Sequence, residues 1–123
     1  MTATPRTITF DCADPGAQAR FWSALTGRAV DTLPEGTPAQ FVGAIGMWPR
    51  TADLALLFLA VPEGKTAKNR VHLDLECADL AAEVARLVDL GATHVADHAD
   101  FGITWSVMQD PEGNEFCLAQ AHD

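Results

Sequence analysis

The sequence has little positive charge. Its 123 residues include 8 lysines and arginines against 17 aspartates and glutamates, which gives a formal charge of -9 at pH 7. Proteins that bind nucleic acid neutralise backbone phosphates with clustered lysine and arginine side chains, and this chain has no basic stripe of that kind. We therefore expect neither DNA nor RNA as a partner.

Long hydrophobic runs and paired cysteines are also missing. The longest apolar run, Leu54–Val61, is far shorter than the roughly 20 residues that cross a bilayer. Because the first residues, MTATPRTITF, have no apolar signal core, we expect a cytoplasmic protein without a membrane partner. The three cysteines have no Cys-x-x-Cys spacing, so we expect reduced thiols rather than a disulfide framework or a paired zinc site.

Two segments of the sequence share one pattern. Thr7–Asp14 (TITFDCAD) and His72–Asp79 (HLDLECAD) both alternate in the manner of a β-strand and end in Cys-Ala-Asp. An aspartate in this position suits a helix N-cap, because its carboxylate accepts bonds from the free N–H groups of the first turn. An apolar stripe with helical spacing follows in each case and stops before Gly27 or Gly91. The sequence therefore predicts a strand followed by a helix twice.

Three further strands are predicted after each helix, separated by turn signals such as DPEGN at residues 110–114. They cover roughly residues 29–33, 40–48 and 54–61, and then 93–96, 103–109 and 115–119. We predict a single α+β domain over residues 1–123, made of two βαβββ modules at about 6–61 and 70–119 with a polar linker at 62–69. The modules would form one curved, mixed, eight-stranded sheet around a cup, with the helices outside.

Side-chain alternation gives the first strand of each module an apolar face and a polar face. The apolar faces, which we expect beneath the helices, carry Ile8, Phe10, Cys12, Leu73, Leu75 and Cys77. The polar faces carry Thr7, Thr9, Asp11, His72, Asp74 and Glu76. We therefore expect polar groups at the floor of the cup.

Three motifs carry a resemblance to a known family. They are the CADP segment with its following helix, the strand His72-Leu73-Asp74-Leu75, and the DPEGNEF segment before the last strand. On these motifs the chain resembles the vicinal oxygen chelate superfamily, which includes glyoxalase I, bleomycin-resistance proteins and extradiol dioxygenases, and in particular its short glyoxalase-like members. The resemblance extends from about Arg6 to Ala119. It implies the same fold, and it implies a homodimer because small members often form one.

The resemblance also implies where a metal would bind. Metal-dependent relatives use four strand positions, which fall on Thr7, Leu59, His72 and Cys117 in this sequence. Only His72 is a customary ligand, whereas zinc and iron sites need several histidine or carboxylate donors around one point. We therefore expect no metal and no other cofactor.

The leading hypothesis is that a small organic molecule binds in the cup without a metal, as in sequestering or resistance proteins of the superfamily. The expected ligand-binding residues are Thr7, Thr9, Asp11, Trp48, Leu59, His72, Asp74, Trp105 and Cys117. His72 is also the catalytic candidate, because histidine exchanges protons near neutral pH.

Other interpretations stay open. The carboxylates could simply be solvated, and Cys117 could be a small buried filler. Four aromatic residues could line the ligand cavity or could belong to a core: Phe41, Trp48, Phe101 and Trp105. A second hypothesis is a lyase, isomerase or dioxygenase, in which His72 acts as a base or holds a divalent metal with donors from Asp11, Asp74, Glu76 and Glu115. A third is a dimeric regulatory module whose cup is filled by its own side chains.

Overall fold

The computed structural model describes residues 2–39 and 43–122, which contain two α-helices and seven β-strands. In chain order these are β1 (Thr7–Cys12), α1 (Pro15–Thr26), β2 (Gly43–Ile45), β3 (Ala55–Ala60), β4 (Leu73–Cys77), α2 (Leu80–Asp89), β5 (Thr93–Asp100), β6 (Ile103–Gln109) and β7 (Glu115–Gln120). The predicted α+β class is confirmed. Within the described residues, neither helix is long and apolar enough to cross a membrane.

The chain divides into two compact units, Met1–Gly64 and Lys65–Asp123, each with its own mixed sheet. In the first unit the strand order is β1-β3-β2, with β1 parallel and β2 antiparallel to β3. In the second unit the order is β4-β7-β6-β5, with only β4 and β7 parallel. The described strands thus form two sheets of three and four strands, and the predicted single sheet of eight is not confirmed. A cup formed jointly by both modules stays a prediction.

The predicted strand at residues 29–33 is not a strand in the structure. The backbone N–H of Asp31 donates to the oxygen of Ala44 at 2.8 Å. Its carboxylate accepts the backbone N–H groups of Gly46 at 3.0 Å, Met47 at 2.7 Å and Trp48 at 3.0 Å. The Asp31 side chain thus accepts hydrogen bonds from three backbone N–H groups. These bonds connect residues 29–33 to the turn after β2, in place of the backbone hydrogen bonds that a strand would form.

The strand predicted at 40–48 ends at Ile45 in the structure, three residues earlier than expected, and its described part is β2 (Gly43–Ile45). Residues 40–42, with the pocket candidate Phe41, lie outside the described residues. In the second unit β5 continues to Asp100, four residues beyond the predicted end at 96, because residues 97–100 pair with the beginning of β6.

Both helices begin at the predicted aspartates. The carboxylate of Asp14 accepts the N–H of Ala17 at 3.0 Å, and Pro15 occupies the first turn of α1. The carboxylate of Asp79 accepts the N–H of Ala82 at 3.2 Å in the same way. Gly27 ends α1 with a φ of 73°, a left-handed conformation that glycine adopts without a steric penalty. β1 and β4 thus each lead directly into a capped helix.

The apolar faces lie under the helices as predicted. In the first unit the ring of Phe10 lies 5.0 Å from that of α1 residue Trp22 and 5.1 Å from that of Phe58. Trp22 and Phe58 are fully buried, while Thr7, Thr9 and Asp11 on the other side of β1 are exposed. Alternate residues of one strand are therefore divided between core and surface.

The core of the second unit is formed by Leu87 of α2 with Met108, Phe116 and Leu118 of the sheet, all fully buried. The turn between β6 and β7 is built around buried Asp110, whose carboxylate accepts N–H groups from Glu112 and Asn114 at 2.9 and 3.0 Å. This local network holds the β6–β7 hairpin in a single register.

Close packing of β2 against α1 predicts the effect of a small substitution. A Cβ at Gly43 would lie 2.6 Å from the carbonyl oxygen of Pro15 and 2.9 Å from Cβ of Ala19, and neither atom can rotate away. We expect Gly43→Ala to lower the free energy of unfolding by about 1–3 kcal/mol, measured by urea denaturation.

Gly64→Ala is the matched control, because a Cβ there meets no atom within 4 Å. Its free energy of unfolding should stay within about 1 kcal/mol of wild type. Equal destabilisation by the two substitutions would contradict the packing of β2 on α1.

Candidate functional site

The sheet of the second unit has one face covered by α2 and one face that α2 does not cover. Strand pairing places Asp74 beside Cys117 and Cys117 beside Val107. One pair further along, Glu76 lies beside Ala119 and Ala119 beside Trp105. We call this surface the open face; its residues are His72, Asp74, Glu76, Trp105, Val107, Gln109, Glu115, Cys117 and Ala119.

Three side chains of the open face form a cluster of donor atoms. One ligand atom from each of His72, Asp74 and Cys117 lies within 4.8 Å of the others. Nε2 of His72 is 3.3 Å from a carboxylate oxygen of Asp74, and both side chains are substantially exposed, so their attraction contributes little to stability. His72 and Cys117 are two of the four strand positions that the resemblance implied for a metal. Asp74 is one of the four carboxylate donors considered for a metal-dependent enzyme, and the register of β4 on β7 places it beside Cys117.

The thiol of Cys117 favours its protonated form. Burial raises its pKa, and the neighbouring carboxylate of Asp74 raises it further, both through its charge and by accepting the thiol hydrogen bond. Lys68 acts in the opposite direction but does not outweigh these effects. Because the thiolate is the nucleophilic form of cysteine, Cys117 is poorly suited to nucleophilic catalysis at neutral pH.

The other acidic candidates do not join this cluster within the part of the chain that the structure describes. Glu115 is engaged elsewhere: its carboxylate accepts the N–H of Asn69 at 3.1 Å and lies 3.4 Å from Nζ of Lys65. Burial acts to raise the Glu115 pKa, but these bonds and the lysine charge outweigh it, so the pKa is lowered. Glu115 therefore fastens the segment before β4 rather than offering a free donor.

Trp105 contributes an aromatic surface at the far side of the open face. Its ring stacks on that of His98 across the β5–β6 pair, with centroids 5.2 Å apart and an interplanar angle of 26°. Trp105 and Val107 are half-buried, so the open face joins polar groups on β4 to apolar ones on β6. Phe101, a predicted pocket aromatic, is instead 87% exposed in the turn between β5 and β6.

The equivalent surface of the first unit has few donors. Thr7, Thr9 and Asp11 are exposed along β1, and Leu59 lies beside Asp11. Because Thr9 is the counterpart of Asp74, its β3 partner Leu57 is the counterpart of Cys117, two residues before Leu59. Leucine has no donor atom at either position.

A cavity of about 290 Å³ lies beside the beginning of β1 in the first unit. It brings together Thr7 and Trp48, which the sequence predicted as ligand contacts, with Arg6 and Arg50, which it did not. The arginines were missed because Arg6 precedes the alternating strand and Arg50 lies in a turn. The sequence did offer one signal for this cavity, because Arg6 and Arg50 are two of only 8 basic residues in an acidic chain.

A second polar group was also missed, on the side of the second sheet that faces α2. One carboxylate oxygen of Asp97 accepts the Ser106 hydroxyl at 2.6 Å and lies 2.6 Å from Nε2 of His94. The Ser106 hydrogen bond and then the His94 contact hold the Asp97 pKa below its usual value. Because the serine hydroxyl donates to a carboxylate rather than to an imidazole, this arrangement does not activate a serine nucleophile.

Comparison with known proteins identifies the family. The sequence model of the glyoxalase-like domain matches residues 7–119. The chain belongs to the glyoxalase-like family. The predicted membership of the vicinal oxygen chelate superfamily is thereby confirmed, and no curated protein sequence gives a significant match.

Solved structures share the fold of this glyoxalase-like chain at low identity. A glyoxalase/bleomycin resistance protein/dioxygenase family enzyme from Burkholderia phytofirmans is 16% identical, with a TM-score of 0.73 over 94% of this chain and 97% of that one. A member of the same superfamily from Sphaerobacter thermophilus is 17% identical, with a TM-score of 0.70 over 98% of both chains. A glyoxalase-related enzyme from Fulvimarina pelagi is 19% identical, with a TM-score of 0.70 over 98% of this chain and 89% of that one.

The environment of Cys117 predicts its reactivity. We expect Asp74→Asn to lower the Cys117 pKa, because the substitution removes the carboxylate that disfavours the thiolate. Alkylation of Cys117 by iodoacetamide, followed by peptide mass spectrometry across a pH series, should then reach half its maximal rate at a lower pH. Glu76→Gln, on the same strand and face, removes the same charge beside Ala119 and should leave the pH profile unchanged. Identical profiles for Asp74→Asn and wild type would show that the carboxylate does not act on the thiol.

Proposed function

We propose that this glyoxalase-like protein binds a small organic molecule on the open face of its second unit, without a metal. The observation that carries the proposal is the strand pairing that sets Asp74 beside Cys117 and Cys117 beside Val107, with Trp105 one pair further along. His72 joins this group through Nε2, which lies 3.3 Å from the Asp74 carboxylate. Ligand sites commonly combine an apolar wall with a few convergent polar groups, and this surface has both. A sequestering role of the resistance type needs no reaction beyond this binding.

The two kinds of residue would divide the work of binding. Contact with Trp105 and Val107 would remove apolar ligand surface from water, at roughly 25 cal/mol per Å². His72 would orient the ligand by a hydrogen bond, with its imidazole positioned by Asp74 at 3.3 Å. Since the His72 side chain is 43% exposed, it is accessible to such a ligand.

The chemistry of the donor cluster supports a metal-free role. A metal-bound cysteine must lose its proton, and both burial and Asp74 oppose this loss at Cys117. On the corresponding surface of the first unit, the threonines and leucines are poor ligands or none, which leaves the Asp11 carboxylate as a donor without histidine or cysteine beside it in the strand pairing.

The proposal extends to a cytoplasmic location and a homodimer. Within the described residues, no disulfide joins Cys12, Cys77 or Cys117, as is usual in a reducing compartment. The homodimer rests on the resemblance to small members of the superfamily.

Ligand binding should be detectable without metal. In a thermal-shift screen of small oxygenated organic molecules in buffer with EDTA, a molecule that binds the native state raises the melting temperature. For such a molecule we expect His72→Ala to weaken binding about tenfold, the effect of losing roughly 1.4 kcal/mol. Val71→Ala, a change at the exposed neighbouring position, is the control and should bind as wild type does. Two outcomes would contradict the metal-free open-face site. One is that molecules raise the melting temperature only when EDTA is left out, and the other is that His72→Ala leaves binding intact.

The donor cluster also supports a second candidate function, an enzyme with a divalent metal at His72, Asp74 and Cys117. The specific observation is that three donor atoms of types that zinc accepts lie within 4.8 Å of one another. A metal there would supply Lewis-acid activation of a bound substrate oxygen. His72 and Asp74 would hold the ion with Cys117 in its thiolate form.

Direct metal titration separates the two candidates. If the cluster is a metal centre, zinc, nickel, manganese or iron(II) should bind at one equivalent by calorimetry and elemental analysis. Binding should release a proton, because the Cys117 thiol must ionise. It should disappear in His72→Ala and Cys117→Ser but persist in His94→Ala, a histidine on the opposite face. Absence of stoichiometric binding in the wild type would exclude the metal centre.

A further inference from the structure

The cavity of the first unit combines an aromatic wall with two cationic side chains. Trp48 is half-buried at the wall, and Arg6 and Arg50 are exposed on the lining beside Thr7. Within residues 2–39 and 43–122 the Trp48 ring has no aromatic partner. The volume of the cavity, about 290 Å³, is close to the lower limit of roughly 300 Å³ for small-molecule pockets. The cavity therefore has room for a molecule with about one ring.

The turn that carries Trp48 is held rigidly from behind. The Asp31 carboxylate binds the N–H groups of residues 46–48. Arg28 donates to the oxygen of Leu54 at 2.8 Å and to Oγ1 of Thr51 at 3.5 Å, and its guanidinium lies against Gly46. Gly46 has a φ of 78° and leaves no space for a Cβ beside that guanidinium. The aromatic wall is thus prepared before any ligand arrives, which lowers the entropic cost of binding.

The charge around the cavity is opposite to that of the whole chain. The chain carries a formal charge of -9, yet Arg6 and Arg50 line the cavity. Behind it, the positive charge of Arg28 is matched by the Asp31 carboxylate. Asp53 is the single acidic residue among the lining residues. Among the described residues, neither Arg6 nor Arg50 forms an ion pair, although 17 carboxylates are present in the chain. Their guanidinium groups are therefore available to a ligand.

We infer that this cavity binds a small organic oxyanion, with its planar body against Trp48 and its anionic group facing Arg6 and Arg50. Guanidinium groups bind carboxylates through paired, charge-assisted hydrogen bonds, and a flat conjugated body packs on an indole ring. The site lies within the first unit and uses none of the open-face residues. The ligand class and the two binding arginines of this site are therefore independent of the role of His72.

Benzoate and its neutral isostere benzamide test this inference on the whole protein. The two probes have the same shape and differ in charge, so a site built for an oxyanion must distinguish them. Titration is followed by the NMR signals of the tryptophan indole N–H groups, with that of Trp48 identified from Trp48→Phe. We expect benzoate to shift the Trp48 signal, to bind at least about tenfold more tightly than benzamide, and to weaken as salt is added.

Charge-matched variants complete the test. The double variant Arg6→Gln, Arg50→Gln should weaken benzoate binding about tenfold or more. Arg20→Gln with Lys68→Gln changes the net charge equally at two residues that do not line the cavity, and it should leave the dissociation constant within about twofold of wild type. Equal affinities for the two probes, equal effects of the two double variants, or no response of Trp48 to benzoate would each overturn the inference. The His72→Ala experiment uses another surface, so either proposal can fail without the other.

Discussion

Each sheet of this protein is covered on one face by a single helix, and a β-strand gives alternate side chains to its two faces. The core therefore takes one parity of each strand: Phe10 and Phe58 beneath α1, and Phe116 and Leu118 beside Leu87 of α2. A substitution that moved an apolar side chain to the opposite parity would remove it from the core. The residues left for function are those of the second parity, which is why His72, Asp74 and Cys117 share one surface.

The two units use the same plan but differ in chemistry. At equivalent pairs of strand positions, the first unit has Thr9 beside Leu57 and the second has Asp74 beside Cys117. Both pairs fit the strand geometry, because the side chains of both lie on the face of the sheet opposite the core. The first unit instead gathers cationic side chains at the end of its sheet, where the turn carrying Trp48 is held by Asp31. A repeated fold thus presents two surfaces of different chemical character.

Features set by neighbouring residues could be predicted from the sequence. The capping aspartates, the parity of β1 and β4, and the bounds of β6 follow from contacts or patterns a few residues long. Features that join distant residues could not. Alternation places Asp74 on the polar face of its strand, but it does not show that β4 lies next to β7 in the register that sets Asp74 beside Cys117. The strand expected at residues 29–33 failed for the same reason, since its apolar pattern does not reveal that the Asp31 carboxylate binds a turn fifteen residues later.

The proximity of Asp74 to Cys117 also affects how readily the thiol is oxidised. Peroxide attacks the thiolate form of cysteine, and the first product is a sulfenic acid that can react further. A carboxylate that keeps the thiol protonated slows this attack, although the sulfur is only partly buried. The carboxylate that gives the surface its polar character therefore also protects its sulfur from oxidative damage.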